Sequence, residues 1–213
     1  MGSVKTKYRG YYTCFTLYQK KTMKTVEVIG FRREDLGKST SKKLRAEGNA
    51  PCVLYGGEEV IHFHAPMYLF KDIVYTPEAC FVHLNIEGVE KKAILQDVQF
   101  HPVSEVIMHA DFLELVDDKP VKMEIPVSFV GKSPGLQMGG KLVAKLRKLK
   151  VSALPANMPS SVEVSVEGLD LGKSVKVGSV EAKDFEILYN PSVTIASIAI
   201  PRALRSAQSK SAE

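Results

Sequence analysis

Cysteine is scarce in this sequence: three in 213 residues, Cys14, Cys52 and Cys80, with no C-x-x-C pair among them. That spacing excludes a disulfide framework and a cysteine-built zinc site, and it suits a reducing compartment. Long apolar runs are missing too, since none approaches the ~20 residues that a helix needs to cross a bilayer. There is no G-x-S-x-G elbow, and no cysteine stands beside a basic group in a familiar catalytic motif, so nucleophilic catalysis has no anchor. A lone G-K-S at 37–39 lacks the G-x-x-x-x-G-K frame of a nucleotide-binding loop. The paired carboxylates Asp117-Asp118 fall in a stretch that reads as a linker. The expectation is a protein that is not an enzyme and uses no cofactor, small-molecule substrate or membrane.

What is present is ordinary globular composition, 45% hydrophobic and 25% charged. The net charge of +5 suggests nucleic acid until it is divided along the chain. Residues 1–22 hold Lys5, Lys7, Arg9, Lys20 and Lys21 and no acid, leaving 24 basic and 24 acidic residues over 23–213. Bulk charge therefore decides nothing, and only local placement of charge can. The 1–22 segment interleaves Tyr8, Tyr11, Tyr12, Phe15 and Tyr18 with its lysines and has little aliphatic material. It reads as a non-globular extension, explained either by an upstream start site or by an RNA-binding tail in which tyrosines stack and lysines neutralise phosphate.

Residues 23–116 read as short strands with little helix. Thr25–Phe31 alternates as an edge-like strand. Ser39 or Thr40 is positioned to cap a helix over S-K-K-L-R-A-E-G, ended by Gly48-Asn49 and Pro51. C-V-L-Y-G-G and V-I-H-F-H-A pair across a Gly-Gly turn, M-Y-L-F-K-D-I-V-Y-T reads as a second helix, and two further segments form a hairpin around Gly88. V-I-M-H-A-D-F-L-E-L supplies another strand. Beyond the linker at 117–120, nearly everything to residue 201 alternates as strand between Gly and Pro turns, the pattern of an antiparallel sandwich or barrel. Within it, G-K-L-V-A-K-L-R-K-L-K-V-S-A-L reads as one strand stretch whose Lys141, Lys145, Arg147, Lys148 and Lys150 are a solvated edge or an auxiliary contact. Residues 202–213 read as a flexible tail. The fold class is mainly β, in two domains, 23–116 and 117–201.

Three local constellations in the first domain could carry chemistry. In residues 32–45, R-R-E-D-L-G-K-S-T-S-K-K-L-R, six basic residues face two acids. Lys38 and Ser39 would lie at a helix N-terminus, where amides and hydroxyls suit phosphate oxygens. Lys42 and Arg45 are three apart and share a helix face, with Leu44 turned inward. In Q-D-V-Q-F-H-P, Gln96, Val98 and Phe100 would share one strand face and Asp97 and Gln99 the other. In H-A-D-F-L, His109 and Asp111 emerge together from one strand, as do His62 and His64. The P-C-V-L-Y-G-G run between them reads as an apolar strand ending in a Gly-Gly turn.

Taken in order, G-K-S-x-S-K-K-L-R, P-C-V-L-Y-G-G, Q-D-V-Q-F-H-P and H-A-D-F-L closely resemble the Ctc-type bacterial ribosomal proteins. These are the long, two-domain members of the large-subunit ribosomal protein family L-twenty-five. The likeness runs from about Met23 to Pro201 and includes L-P-A-N-M-P and D-L-G-K-S-V-K-V near the end. The resemblance implies an N-terminal six-stranded β-barrel with short helices and a C-terminal all-β domain. It implies binding of 5S rRNA by the first domain, membership of the large ribosomal subunit beside neighbouring ribosomal proteins, and a cytoplasmic location. The RNA-facing residues it implies are Arg33, Lys38, Ser41, Lys42, Lys43, Arg45, Tyr55, Gly56, Gln96, Gln99, His109 and Asp111. Lys42 and Lys43 stand where arginine is common in the family, which keeps charge and loses the planar fork.

Two other readings stay open at this level. A histidine/aspartate metalloenzyme would draw ligands from His62, His64, His101, His109 and Asp111, without a diagnostic spacing for a third ligand. A stress-linked RNA-binding factor on the same fold would spend only part of its time on ribosomes.

Overall fold

Alternation of apolar and polar residues builds the first strand, β1 (Lys24–Arg32), whose inward Val28 is fully buried and whose outward Ile29 and Phe31 are exposed. The computed structural model describes residues 23–180 and 184–201; the segments read above as an extension (1–22) and a tail (202–213) lie outside the described residues. After β1 come α1 (Lys38–Ala46), β2 (Asn49–Tyr55) and β3 (Ile61–Pro66). A 3-10 turn at Met67–Phe70 runs into the single-turn α2 (Lys71–Val74), and β4 (Cys80–Ile86), β5 (Val89–Phe100) and β6 (Ile107–Glu114) follow. The six strands close into a barrel in the order β1-β3-β2-β6-β5-β4. Strand β1 is parallel to β4 and antiparallel to β3, and β2 is parallel to β6.

Closure corrects the edge-like reading of the first strand. A barrel wall has no edge, so β1 is paired on both sides. The wall is filled by Val28, Leu54, Phe63, Phe70, Val82, Leu84 and Phe112, all essentially out of water. Phe112 sits at the centre of an aromatic group, 5.7 Å from Phe63 and 6.1 Å from Phe70 between ring centroids. Gly30 makes room for it, because a Cβ there would stand 2.6 Å from Phe63 Cδ2. The β4–β5 hairpin turns where expected: Glu87 and Gly88 both adopt positive φ, 51° and 91°, and Asn85 Oδ1 accepts the Gly88 N–H at 3.0 Å. The expected second helix is mostly broken up, its first half a 3-10 turn packed by Phe70 on the barrel.

The second lobe runs through β7 (Val121–Val130), the one-turn α3 (Pro134–Gln137), β8 (Lys141–Ala144), β9 (Lys148–Ala153), β10 (Val162–Ser165), β11 (Ser174–Lys176), β12 (Glu186–Ile187) and β13 (Thr194–Ala199). They form a sheet of order β10-β7-β9-β12 and another of order β11-β13-β8. The sandwich is not wholly antiparallel as expected, since β10 runs parallel to β7. Nor is the lysine-rich stretch one strand. It breaks at residues 145–147, where the Lys145 and Leu146 amides both donate to Ile195 O at 2.8 and 3.1 Å, so β8 and β9 serve different sheets. In β9 the alternation holds, with Lys148 and Lys150 exposed and Leu149 and Val151 buried.

The two lobes share apolar packing. The core of the second lobe, from Ile125, Leu149, Val151, Val164 and Ile195, takes in Ala79 and Ile94 of the barrel. Met23, Phe81, Leu113 and Leu115 pack against it from the same side. In β5 Ala93 faces into the barrel and Ile94 faces out, each buried, in different cores. Ile94→Ala is therefore expected to cost about 2–5 kcal/mol. Both lobes should melt earlier in one transition, followed in denaturant by near- and far-ultraviolet dichroism; a loss confined to one lobe's transition would contradict the shared core.

Candidate nucleic-acid interface

The candidate residues on β5 and β6 are gathered by strand register. Gln99 lies directly opposite His109, and Asp97 directly opposite Asp111, all four on the outer face of the barrel. His109 and Asp111 alternate with the inward Ala110 and Phe112, so their side chains emerge side by side. His109 Nδ1 lies 2.6 Å from Asp111 Oδ1, with both side chains about one-third exposed at 29% and 32%. That contact engages Nδ1 and holds the ring beside the carboxylate.

Gln96 does not sit where simple alternation places it. The β5–β6 register steps from Leu95↔Phe112 to Asp97↔Asp111, so Gln96 is the extra residue of a β-bulge. The bulge resets the parity of the strand: Val98 packs against the barrel core, and Gln96, exposed, does not share its face. Gln96 instead lines a cleft of about 450 Å³ between barrel and second lobe, with Thr76, Asp97, Lys122, Lys148 and Lys150 among its walls. A second irregularity between Gln99 and Phe100 again breaks strict alternation.

Tyr55 comes from β2, the parallel neighbour of β6, where Val53 lies beside Asp111. Burial, reinforced by the nearby Asp111 and Asp97 carboxylates, raises the pKa of its phenol, which keeps the hydroxyl protonated as a donor. Gly56, expected at the RNA face, has a structural reason to be glycine. Its φ is +96°, and a Cβ would meet Leu113 Cδ1 at 2.5 Å.

Helix α1 divides the basic cluster into anchors and free charges. Its N-cap is Gly37, with no side-chain cap, and not Ser39 or Thr40 as the sequence suggested. Ser41 uses its hydroxyl to donate to Gly37 O at 3.1 Å. Arg33 Nη2 donates to Ser41 Oγ at 3.0 Å and to Asp35 O at 3.2 Å. Arg45 Nε donates to the Met108 carbonyl of β6 at 3.0 Å, so it turns towards the barrel while Lys42 stays in solvent. Lys38, Lys42 and Lys43 are exposed and make no hydrogen bond or ion pair with the described residues. Leu44 is half-buried, as its inward reading required.

The histidines do not converge on a metal. His62 and His64 lie on β3, separated from His109 and Asp111 by β2. Among the described residues no three His, Cys, Asp or Glu side chains come together as a ligand set. His64 has Nδ1 buried without a partner, as is Arg33 Nε. Burial, with the Arg33 guanidinium beside it, pushes the His64 pKa below its usual value. The described residues include no helix long and apolar enough to cross a membrane.

The molecule is thus a closed barrel with polar side chains on its outer wall, a cation-bearing helix beside them and a β sandwich attached. Residues 29–112 match the model of the Ribosomal L25p family, and residues 120–202 that of the ribosomal protein TL5 C-terminal domain. The chain is 49% identical over 191 residues to the large ribosomal subunit protein bL25 of Cytophaga hutchinsonii, covering 90% of this chain and 100% of that one. It is 50% identical over 183 residues to the protein of that name from Amoebophilus asiaticus, covering 86% and 93%. With its counterpart in Bacteroides fragilis it shares 40% over 190 residues, 87% of this chain and 97% of that one. The chain belongs to the ribosomal L25p family, and it carries the additional C-terminal domain. These relatives are named as ribosomal proteins and not as enzymes.

Two outcomes follow from the geometry. Gly56→Ala should destabilise the protein by about 1–3 kcal/mol, because both the positive φ and the Leu113 contact oppose a side chain; calorimetry checks this. For His64 the folded pKa lies below the unfolded one, so unfolding takes up a proton as pH falls through about 6.5. Stability should therefore drop from pH 7 to pH 5 more steeply in the wild type than in His64→Gln, read from melting midpoints across that range.

Proposed function

We propose that this chain is a structural constituent of the large ribosomal subunit that binds 5S rRNA through residues 23–116 and takes part in translation in the cytoplasm. The carrying observation is the division of labour around α1. Arg33, Ser41 and Arg45 tie the helix to the barrel, leaving Lys38, Lys42 and Lys43 without partners beside the outward Gln99, His109, Asp111 and Tyr55. Free cations displace counterions from phosphates and supply affinity. Fixed donors and acceptors on the strands reach base edges where an irregular RNA helix widens its groove. His109 serves as an oriented hydrogen-bonding group, with Asp111 setting its ring, and no proton transfer is asked of either. Gln96, displaced by the bulge, touches the same RNA from the side facing the second lobe. Residues 117–201 form the second unit, which the shared core holds at a set angle to the RNA-binding wall.

The test is a mobility-shift titration of the full chain with folded 5S rRNA and with random duplex of equal length, repeated across salt. The wild type should prefer 5S rRNA. Replacing Lys38, Lys42 and Lys43 together by alanine should weaken binding and lower the salt slope by about two to three units. Gln99→Ala or His109→Ala should cost about 1–3 kcal/mol with the slope unchanged. Equal affinity for both RNAs in the wild type would end this reading.

A further inference from the structure

Phe31 is an aromatic ring that the fold does not need. It points outward from β1, 49% exposed, opposite the inward-facing glycine and valine positions that serve the barrel core. Its cross-strand partner is His64 on β3, with ring centroids 5.6 Å apart and planes inclined by 31°. The lowered His64 pKa leaves that ring neutral at physiological pH, so the pair presents uncharged aromatic surface. Arg32 and Arg33 follow Phe31 directly, at the head of the stretch in which six cations face two acids.

The position of the pair relative to the helix narrows what it meets. Cys52 of β2 pairs with Ala110 of β6, which sets Pro51 beside His109 one residue earlier, and Pro51 pairs with His64 on the other side. A single transverse row thus runs Phe31, His64, Pro51, His109, Gln99 across five strands. Pro51 points outward in this row yet is buried, and α1 is tied to the neighbouring strand through Arg45 Nε on Met108 O of β6. The helix therefore stands between two outward groups: His109 and Gln99 on one flank, Phe31 and His64 on the other. Strands are about 4.8 Å apart, so the flanks lie about 15 Å from each other along the wall, within the width of one RNA groove region.

We propose that Phe31 and His64 form a stacking platform for one unpaired base of the bound RNA, on the flank of α1 away from His109. This rests on the RNA-binding reading above and adds a contact that none of the twelve expected residues supplies. A base offers a π-face whatever its identity, and the exposed Arg32 next in the chain matches its phosphate, so ring and charge fit a single-stranded nucleotide. A protein partner fits poorly. The ring with Ile29 beside it on β1 offers far less than the ~800 Å² per side of a stable protein interface.

The protein has no tryptophan, so Phe31→Trp creates a single reporter. Wild type, Phe31→Trp, Phe31→Leu and Phe31→Ala, each as the full chain, are titrated with folded 5S rRNA at several salt concentrations. Phe31→Ala and Phe31→Leu should each bind about tenfold or more weakly. Phe31→Trp should bind like wild type, its emission quenched by RNA, with the same salt slope in all four. Matching melting midpoints for Leu and wild type exclude a folding defect. If wild type prefers 5S rRNA while Leu binds equally well, or the Trp emission ignores RNA, the platform is refuted and the parent reading stands. If wild type shows no preference for 5S rRNA, the parent reading fails first and the platform with it.

Discussion

Strand β5 is the constraint on which the rest depends, because it serves three environments within a few residues. Ala93 belongs to the barrel interior, Ile94 to the core of the second lobe, and Gln96 and Gln99 to the outer surface. An unbroken period of two cannot meet those demands, since each side chain would be locked to one of two faces. The bulge at Gln96 inserts the extra residue that resets the alternation, so that Val98 again packs inward and Gln99 comes to lie opposite His109. Bulges bend and twist the strand that carries them, and here the bend lies between the wall that faces the second lobe and the wall that carries the candidate interface. Were the same residues to alternate strictly, with Gln96 paired in place of the bulge, Gln99 would turn inward while Val98 turned to water.

Helix α1 meets a related problem by other means. It buries none of its residues fully and has no side-chain cap, so propensity and apolar packing alone hold a nine-residue helix weakly. Its attachment comes from guanidinium groups: Arg45 to a β6 carbonyl, and Arg33, from the β1 end, to Ser41. Hydrogen bonds to charged groups contribute about 1.5–3 kcal/mol each, more than an exposed ion pair. The arginines' planar forks are suited to such bonds, and the lysines' flexible stems to loose phosphate contact. Arginine as anchor and lysine as free cation is thus a chemical sorting of the cluster.

Much of this was legible in the sequence. The β1, β2–β3 and β4–β5 segments and the Gly88 turn read directly from alternation and turn chemistry, and the His109–Asp111 pair from its spacing. The Asp117–Pro120 break falls between β6, a strand of the barrel, and β7, the first strand of the second lobe. Three kinds of feature were not legible. Bulge positions leave no local mark, so Gln96 was placed on the face of Val98. Barrel closure is a non-local event, so β1 looked like an edge. The hydrogen bonds that bind Arg33, Ser41 and Arg45 join residues up to 63 apart in sequence, so anchors and free charges looked alike. Phe31 was readable only as one more strand aromatic until its outward direction and its pairing with His64 were known.

The charge around the inter-lobe cleft decides where an RNA backbone can approach. Its walls carry Lys122, Lys148 and Lys150, which by themselves look like a cationic groove, but also Glu78, Asp97 and Glu124. Three cations and three acids cancel, and Lys150 is already drawn to Glu124 at 3.8 Å. Phosphate attraction is therefore concentrated at Lys38, Lys42 and Lys43, and the cleft offers Gln96 and neutral polarity instead. On the proposed reading, an RNA that follows the field would settle over α1 first, and the polar groups on either flank of the helix would then have to fit the bases brought to them.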